Sequence, residues 1–251
     1  MLKVKSIGKA LKFRYNLIIS ALIRKNLNDY LLKSIIVDDA KANIEFFEFR
    51  NRIEPEHFSY NGFPDFHADE FIQGNHLQQN WSSEKEVSVF LGNLVETLKA
   101  QEVWEIGCFV GYTSAHLAQA LLKPGYSGNL RCVDANLDFL NITKKNLEKH
   151  QLDGCLKSAI HGLSTDQKVL DELPPQADVI FIDASHAYEP TLKELKIFHN
   201  RLSEKGCIVL HDAIRWPGVR NAIHDSRNMF DIFTFATSRS NGVSVLFPKK
   251  K

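Results

Sequence analysis

Hydrophobic and polar positions follow two alternating periods from about residue 103 onward. Short runs of apolar, often β-branched residues alternate with stretches in which apolar residues recur at helical spacing. The pattern predicts strands near 103–106, 130–133, 156–160, 178–182 and 206–210, and helices near 113–123, 137–150, 165–172, 189–202 and 217–228. This alternation requires right-handed crossovers, so it predicts a doubly wound, mostly parallel α/β sheet covered by helices on both faces.

Both ends of this pattern carry a further signal. The last two apolar runs, 232–236 and 243–247, are separated only by a short turn containing Asn241-Gly242, which predicts an antiparallel hairpin and brings the sheet to seven strands. Upstream, Ser83 and Glu86 form a capping-box pattern, and apolar residues then recur at helical spacing as far as Leu98. One amphipathic helix is therefore expected to lead into the first strand.

Residues 1–80 do not share this regularity and are predicted to be an N-terminal extension to a domain spanning 81–251. The first 28 residues carry seven Lys or Arg and no acidic residue, and their apolar run, 17–23, is too short to span a bilayer. Three interpretations stay open for residues 1–28: a helix for packing or for a homo-oligomer, peripheral contact with a membrane surface, or organellar targeting. The rest of the extension has the composition of a lid.

Composition narrows the class of protein without naming an activity. Of 251 residues, 44% are hydrophobic and 24% charged, as in ordinary soluble domains, and the net charge of +1 provides no general attraction to nucleic acid. The four cysteines are widely spaced and fall mostly in or beside predicted buried strands. We interpret them as reduced core residues, which favours a cytoplasmic location over a disulfide framework or a zinc site.

The segment from Val103 to Ser114 carries the clearest functional motif. An apolar strand runs into Glu105, Gly107 and Gly111, and a glycine backbone there can turn sharply and lie against a ligand. The spacing Glu-x-Gly-x-x-x-Gly differs from the dinucleotide fingerprint and suits a nucleoside without phosphates. It resembles the first motif of class I S-adenosylmethionine-dependent methyltransferases. The resemblance continues strand by strand, and it implies a Rossmann-like methyltransferase fold with S-adenosylmethionine bound at these three residues.

Four more residues are assigned to the cofactor. Asp134 ends the second strand, where the family's acidic residue accepts hydrogen bonds from the two ribose hydroxyls; capping of the next helix is the alternative. Ser164 matches in position the loop that contacts adenine, and it too could cap a helix. Thr113 begins the first helix after the glycine turn and could hold the methionine carboxylate. Ser83 lies where metal-dependent members bring a segment over the cofactor.

Two acids follow the fourth and fifth strands, Asp183 and Asp212. Neighbouring strands would place them at one sheet edge, where two carboxylates repel unless a cation or proton lies between them. This arrangement resembles catechol O-methyltransferase and related small-molecule O-methyltransferases, and it implies a divalent cation, magnesium or manganese, with Asp183 also at the cofactor. Helix capping by the two acids is the alternative.

The sequence departs from that family at three places. Ala213 stands where the catechol enzymes have an Asn ligand, so a third metal ligand has to come from elsewhere. His211 occupies the place where some antibiotic-tailoring relatives have a carboxylate, and it is either a metal ligand or a core histidine. His186 stands where the catechol enzymes have the lysine that takes the substrate proton, and imidazole suits a general base at neutral pH.

These assignments combine into one hypothesis. His186, Asp183 and Asp212 form the catalytic group of an enzyme that transfers a methyl group from S-adenosylmethionine to a hydroxyl of a small molecule, with help from a divalent cation. Two alternatives stay open: a metal-independent methyltransferase, and a non-catalytic nucleoside-binding protein on the same fold.

Overall fold

The structure is a computed structural model that describes residues 32–33, 45–46, 82–237, 239 and 241–249. In chain order its strands are β1 (Leu32–Lys33), β2 (Glu45–Phe46), β3 (Glu102–Ile106), β4 (Asn129–Asp134), β5 (Leu156–His161), β6 (Ala177–Ile182), β7 (Leu202–His211), β8 (Phe230–Phe235) and β9 (Val243–Pro248). Its helices are α1 (Lys85–Leu98), α2 (Tyr112–Leu121), α3 (Leu137–Lys149), α4 (Gln167–Glu172), α5 (Tyr188–His199) and α6 (Pro217–Asp225), and a 3-10 turn covers Asp153–Cys155.

Seven strands form the sheet that the sequence predicts. Their order is β5-β4-β3-β6-β7-β9-β8, in which β3 to β7 run parallel and β9 is antiparallel to both β7 and β8. The two-residue strands β1 and β2, which the sequence did not predict, extend the sheet beyond β8. Successive strands move outward to β5 on one side of β3 and to β7 on the other. Ligands of such sheets bind beyond the carboxyl ends of the strands at this reversal.

Alternation along the central strands divides the core between the two faces. Val103 of β3 packs into the cluster beneath α1, α2 and α3, whereas Trp104 and Ile106 pack into the cluster beneath α4, α5 and α6. The Trp104 ring meets Phe198 of α5 edge-on at 6.0 Å between centroids. Both faces are therefore closed by apolar contacts, and polar residues of the central strands are left to gather where the strands end.

The capping-box prediction at Ser83 is wrong. Helix α1 begins at Lys85 with Glu84 at its N-cap and no side-chain cap. The Ser83 hydroxyl is instead hydrogen-bonded to the Thr113 hydroxyl of α2 at 2.5 Å. The Ser83 side chain, which the local pattern assigned to the cap of α1, is therefore used in a tertiary contact with α2.

Strand β7 begins four residues earlier than the apolar run predicts, at Leu202 instead of 206. The Ala177 amide donates to the carbonyl of Arg201 at 2.8 Å, and Ala177 pairs with Leu202 before a register shift along β6. Backbone pairing with β6 therefore extends β7 through polar residues. Because β7 begins at Leu202, helix α5 ends at His199 instead of near 202.

All four cysteines are free and buried, as the sequence predicts. The predictions for residues 1–28 and for most of the 1–80 extension fall outside the described residues. None of the described helices combines the length and the hydropathy that crossing a membrane requires.

Candidate active site

A cavity of about 1310 Å³ opens at the carboxyl ends of β3 to β7. It exceeds the ~300–1,000 Å³ of a typical small-molecule pocket, so it has room for a cofactor and a second small molecule. Every predicted site residue except Gly111 lines it: Ser83, Glu105, Gly107, Thr113, Asp134, Ser164, Asp183, His186, His211 and Asp212. The fold thus gathers at one place residues that are up to 129 positions apart (Ser83 to Asp212).

The glycine turn after β3 has the geometry that its sequence predicts. Gly107 has φ 86°, and a Cβ there would lie 2.2 Å from the carbonyl oxygen of Asp183. Gly111 has φ 85° and is the N-cap of α2, and its amide closes the turn onto the carbonyl of Cys108 at 2.8 Å. Gly107 therefore allows the backbone to border the cavity, whereas Gly111 shapes the turn without touching it.

Asp134 holds the glycine turn from the neighbouring strand. One carboxylate oxygen accepts the amides of Cys108 and Phe109, each at 3.1 Å, and the other accepts the amide of Asn136 at 2.8 Å. The cap of α3 is Asn136, so the alternative role of Asp134 as that cap is wrong. A partly exposed carboxylate fixed by three amides keeps lone pairs for hydroxyl donors from a ligand.

Glu105 is buried at the end of β3 and accepts a hydrogen bond from the Ser114 hydroxyl of α2. Burial raises the pKa of Glu105 to about 8, and its hydrogen bonds oppose that rise only in part. The side chain is consequently mostly neutral at pH 7, and it joins the strand to the helix that follows the glycine turn.

Three buried hydroxyls lie together beside the glycine turn. The Thr113 hydroxyl lies 2.5 Å from that of Ser83 and 3.2 Å from that of Ser88, and all three residues are buried. They tie the segment before α1 to the first turn of α2. Ser83 thus borders the cavity beside the glycine turn, and its place on a segment over the cofactor stays a prediction.

Ser164 follows β5 and contacts a residue that the sequence analysis missed. Its hydroxyl donates to Oε1 of Glu194, in α5, at 2.5 Å. The N-cap of α4 is Asp166, so the alternative role of Ser164 as the cap is wrong. The sequence could have indicated Glu194, because this acid lies on the same face of α5 as Thr191 and Phe198. A buried helix face is expected to be apolar, so an acid there is unusual.

Asp183, His186 and Asp212 form a cluster at the ends of β6 and β7. Each offers one ligand atom, and these atoms all lie within 4.8 Å of one another. The caps of α5 and α6 are Ala187 and Trp216, so the alternative that the two acids cap helices is wrong. Asp212 has φ 59°, a left-handed backbone that is uncommon outside glycine and concentrates at functional sites.

His186 has a defined position in this cluster. Its Nε2 lies 2.6 Å from Oδ2 of Asp212, and its ring stacks on Trp216 at 4.7 Å with an interplanar angle of 11°. The hydrogen bond that the His186 imidazole donates to Asp212 raises the pKa of His186, together with the charges of Asp212 and Asp183 and against partial burial. An imidazole held on one nitrogen by a carboxylate is arranged to accept a proton on the other.

His211 connects two carboxylates behind the cluster. Its Nε2 lies 2.6 Å from Oε2 of Glu84, and its Nδ1 lies 3.3 Å from Oδ1 of Asp183. Both ring nitrogens therefore face acids, and His186 takes the third place in the cluster that the sequence analysis assigned to His211. Metal ligation by His211 stays a prediction.

Glu84 is the second residue that the sequence analysis missed. Its carboxylate is buried and accepts hydrogen bonds from His211 and, at 2.8 Å, from Thr237. Burial alone would raise the pKa of Glu84, but the hydrogen bond and charge of His211 outweigh it and lower the pKa to about 2. Burial would lower the pKa of His211, but the charges and hydrogen bonds of Asp183 and Glu84 outweigh it. The pKa of His211 is therefore raised well above its usual value.

We expect Glu84→Gln to lower the free energy of unfolding by about 3 kcal/mol at pH 6, since each pKa unit corresponds to about 1.36 kcal/mol. The folded pKa of Glu84, about 2, lies below the ordinary value of 4.5. Its stabilisation is therefore present above pH 4.5 and is lost as the pH falls toward 2. Urea unfolding of both proteins at several pH values measures the difference in their free energies of unfolding, which should become smaller in acid. A difference independent of pH would contradict the lowered pKa of Glu84.

The cluster fits a divalent cation by its chemistry. Two carboxylates and an imidazole are the ligands that manganese, iron and zinc accept, and the carboxylates alone suit magnesium. Asp183 and Asp212 also need a positive partner, which His186 and His211 supply only when protonated. Asp183, His186 and Asp212 are thus a group of the described residues that could hold a metal ion beside the glycine turn.

Comparison with known proteins agrees with this fold. Residues 104–213 match the family described as Methyltransferase domain. An O-methyltransferase from Bacillus cereus in complex with S-adenosylhomocysteine is 19% identical, with a TM-score of 0.62 over 76% of this chain and 94% of that one. The O-methyltransferase TomG from Streptomyces achromogenes, involved in tomaymycin synthesis and solved with S-adenosylmethionine, is 16% identical, with a TM-score of 0.59 over 80% of this chain and 98% of that one.

A relative by sequence is an uncharacterised protein of Acanthamoeba polyphaga mimivirus, 29% identical over 143 residues. The match covers 53% of this chain and 63% of the relative, so this chain spans less than two thirds of that protein. The family match places a methyltransferase domain at residues 104–213, and the order of the strands and the glycine turn agree with the class I S-adenosylmethionine-dependent methyltransferase fold. The resemblance drawn from the sequence is confirmed.

Proposed function

We propose that this protein transfers a methyl group from S-adenosylmethionine to a hydroxyl of a small molecule, assisted by a divalent cation. The observation that carries the proposal is the cluster of Asp183, His186 and Asp212, which lies in the same cavity as the glycine turn and Asp134. A cofactor site alone would serve any methyltransferase. Acids beside an imidazole add the means to bind a hydroxyl and to remove its proton.

The residues along β3 to β5 would hold the cofactor. Asp134 would accept the ribose hydroxyls while it keeps its three backbone amides, and Gly107 would let the backbone approach the nucleoside. Thr113 and the first amides of α2 would bind the methionine carboxylate. When bound, S-adenosylmethionine supplies an electrophilic methyl group, and transfer to the acceptor oxygen leaves S-adenosylhomocysteine.

Asp183 and Asp212 would hold the cation, with His186 beside them. A bound divalent ion would orient the acceptor hydroxyl and lower its pKa. His186 would accept the proton of that hydroxyl on the nitrogen that Asp212 does not hold, while stacking on Trp216 keeps its ring in place. Arg215 and Trp216 lie on the cavity wall, where they would contact the acceptor. The segment carrying Ser83 would cover the site and exclude water.

Incubation with methyl-labelled S-adenosylmethionine and a panel of phenolic and alcoholic acceptors tests the proposal. We expect label to enter the acceptor as a methyl ether and the transfer to stop in excess EDTA. Tight binding of S-adenosylhomocysteine without transfer to any acceptor would favour a non-catalytic nucleoside-binding protein and contradict the proposal.

One observation favours a second candidate, a metal-independent methyltransferase. The contact of 2.6 Å between His186 and Asp212 already forms a carboxylate–imidazole pair that could act as a base without a cation. Full activity in EDTA would select this alternative and leave His186 as the base.

A further inference from the structure

The carboxylate of Glu194 has features that its bond to Ser164 does not explain. The residue is only 3% exposed, it borders the cavity, and Oε1 accepts the Ser164 hydroxyl at 2.5 Å. Its other oxygen, Oε2, is buried and has no hydrogen-bond partner among the residues that the structure describes. A buried acceptor without a donor is costly, so a tie between α5 and the loop after β5 is not a complete account of this side chain.

The order of the strands shows which part of the ligand Glu194 would meet. Asp183 and Asp212 lie at the ends of β6 and β7, the glycine turn follows β3, and Asp134 ends β4. The next strand outward is β5, and the loop that carries Ser164 leaves it where the Gly162 amide bonds to the Asp134 carbonyl at 3.0 Å. A nucleoside whose ribose is held by Asp134 therefore directs its base toward Ser164 and Glu194.

We infer that Glu194 is the residue that selects adenine, with its free Oε2 accepting a hydrogen bond from the 6-amino group of the cofactor and Ser164 holding the carboxylate in place. The inference rests on the proposed use of S-adenosylmethionine and adds a specificity-determining residue to it. Burial raises the pKa of Glu194 to about 7 against the opposing hydrogen bond from Ser164. A donor from the ligand would satisfy the oxygen that burial penalises.

The chemistry predicts which nucleosides the site rejects. A 6-oxo base, as in hypoxanthine, has an acceptor where adenine has an amine, so two oxygens would face each other across the contact. A carboxylate would disfavour that base, whereas a carboxamide offers both a donor and an acceptor and would tolerate either. Glu194→Gln should therefore change the preference between the two bases more than it changes the fold.

Calorimetric titration of the full chain with S-adenosylhomocysteine and its 6-oxo analogue, S-inosylhomocysteine, tests this at a pH well above the Glu194 pKa of about 7, where the carboxyl is ionised. We expect the unmodified protein to prefer the adenine compound by roughly tenfold to 100-fold, the scale of a hydrogen bond to a charged group. Glu194→Gln should reduce this preference to roughly threefold or less. Glu172→Gln, at the exposed end of α4, is the matched control and should keep the full preference.

Three outcomes separate the possibilities. Equal binding of both compounds by the unmodified protein overturns the inference without any variant, so a failure of Glu194→Gln to fold would not protect it. A folded Glu194→Gln protein that keeps the full preference also overturns it. If the unmodified protein binds neither compound, the proposed use of the cofactor fails, and the role of Glu194 fails with it.

Discussion

Asp212→Asn should reduce methyl transfer by roughly 10³-fold or more, because a Lewis-acid contribution is worth several kcal/mol and ~1.36 kcal/mol is a factor of ten. Asn is chosen because it tolerates the left-handed backbone of residue 212, where φ is 59°. The variant removes one charged ligand from the cluster and keeps a polar atom near His186. Transfer assays with the best acceptor, alongside the metal content of the purified protein, measure the effect.

Cofactor binding should survive this change. Asp134 and the glycine turn lie at the ends of β4 and β3, away from the end of β7, so affinity for S-adenosylhomocysteine should stay within roughly threefold. Asp171→Asn, at an exposed position of α4, is the control and should retain full activity. If Asp212→Asn stays active, or keeps its metal, the cation is not held by Asp212.

The sheet could be predicted because its strands are buried on both faces. Continuous apolar runs such as 179–182, alternating with helical patterns, indicate buried parallel strands, and the polar residues that follow these strands then fall at one edge of the sheet. This is why Asp183 and Asp212 were found from sequence, and the structure confirms that they lie together. The start of β7 was missed because pairing of Leu202 with Ala177 carries polar residues into the strand.

The residues that the sequence analysis missed depend on contacts between distant parts of the chain. Glu84 looks like an ordinary polar residue before a helix, and only the fold brings it to His211, 127 positions away. The sequence analysis placed His211 in the metal cluster, where the structure has His186, for the same reason. Both histidines stand close to an acid in sequence, and only the fold shows that Glu84 and Asp183 hold the two ring nitrogens of His211.

The role of His186 gives the second large effect. We expect His186→Ala to lower the turnover number by roughly 10² to 10⁴-fold, the usual scale for loss of a general base, while metal content and cofactor affinity are retained. Since Asp212 raises the pKa of His186, the rate of the unmodified enzyme should rise with pH through a value above 6.5, and the variant should lose this limb.

Three measurements distinguish a base from a metal ligand or a packing residue at this position. Added imidazole should restore part of the activity of His186→Ala, because a small base can enter the space beside Trp216 and take the proton. His150→Ala, after the end of α3, is the control and should keep the full rate and its pH profile. Loss of metal from His186→Ala would instead make His186 the third ligand, in place of the missing Asn at position 213. A variant with normal metal content, an unchanged pH profile and no response to imidazole would show that His186 does not carry the proton.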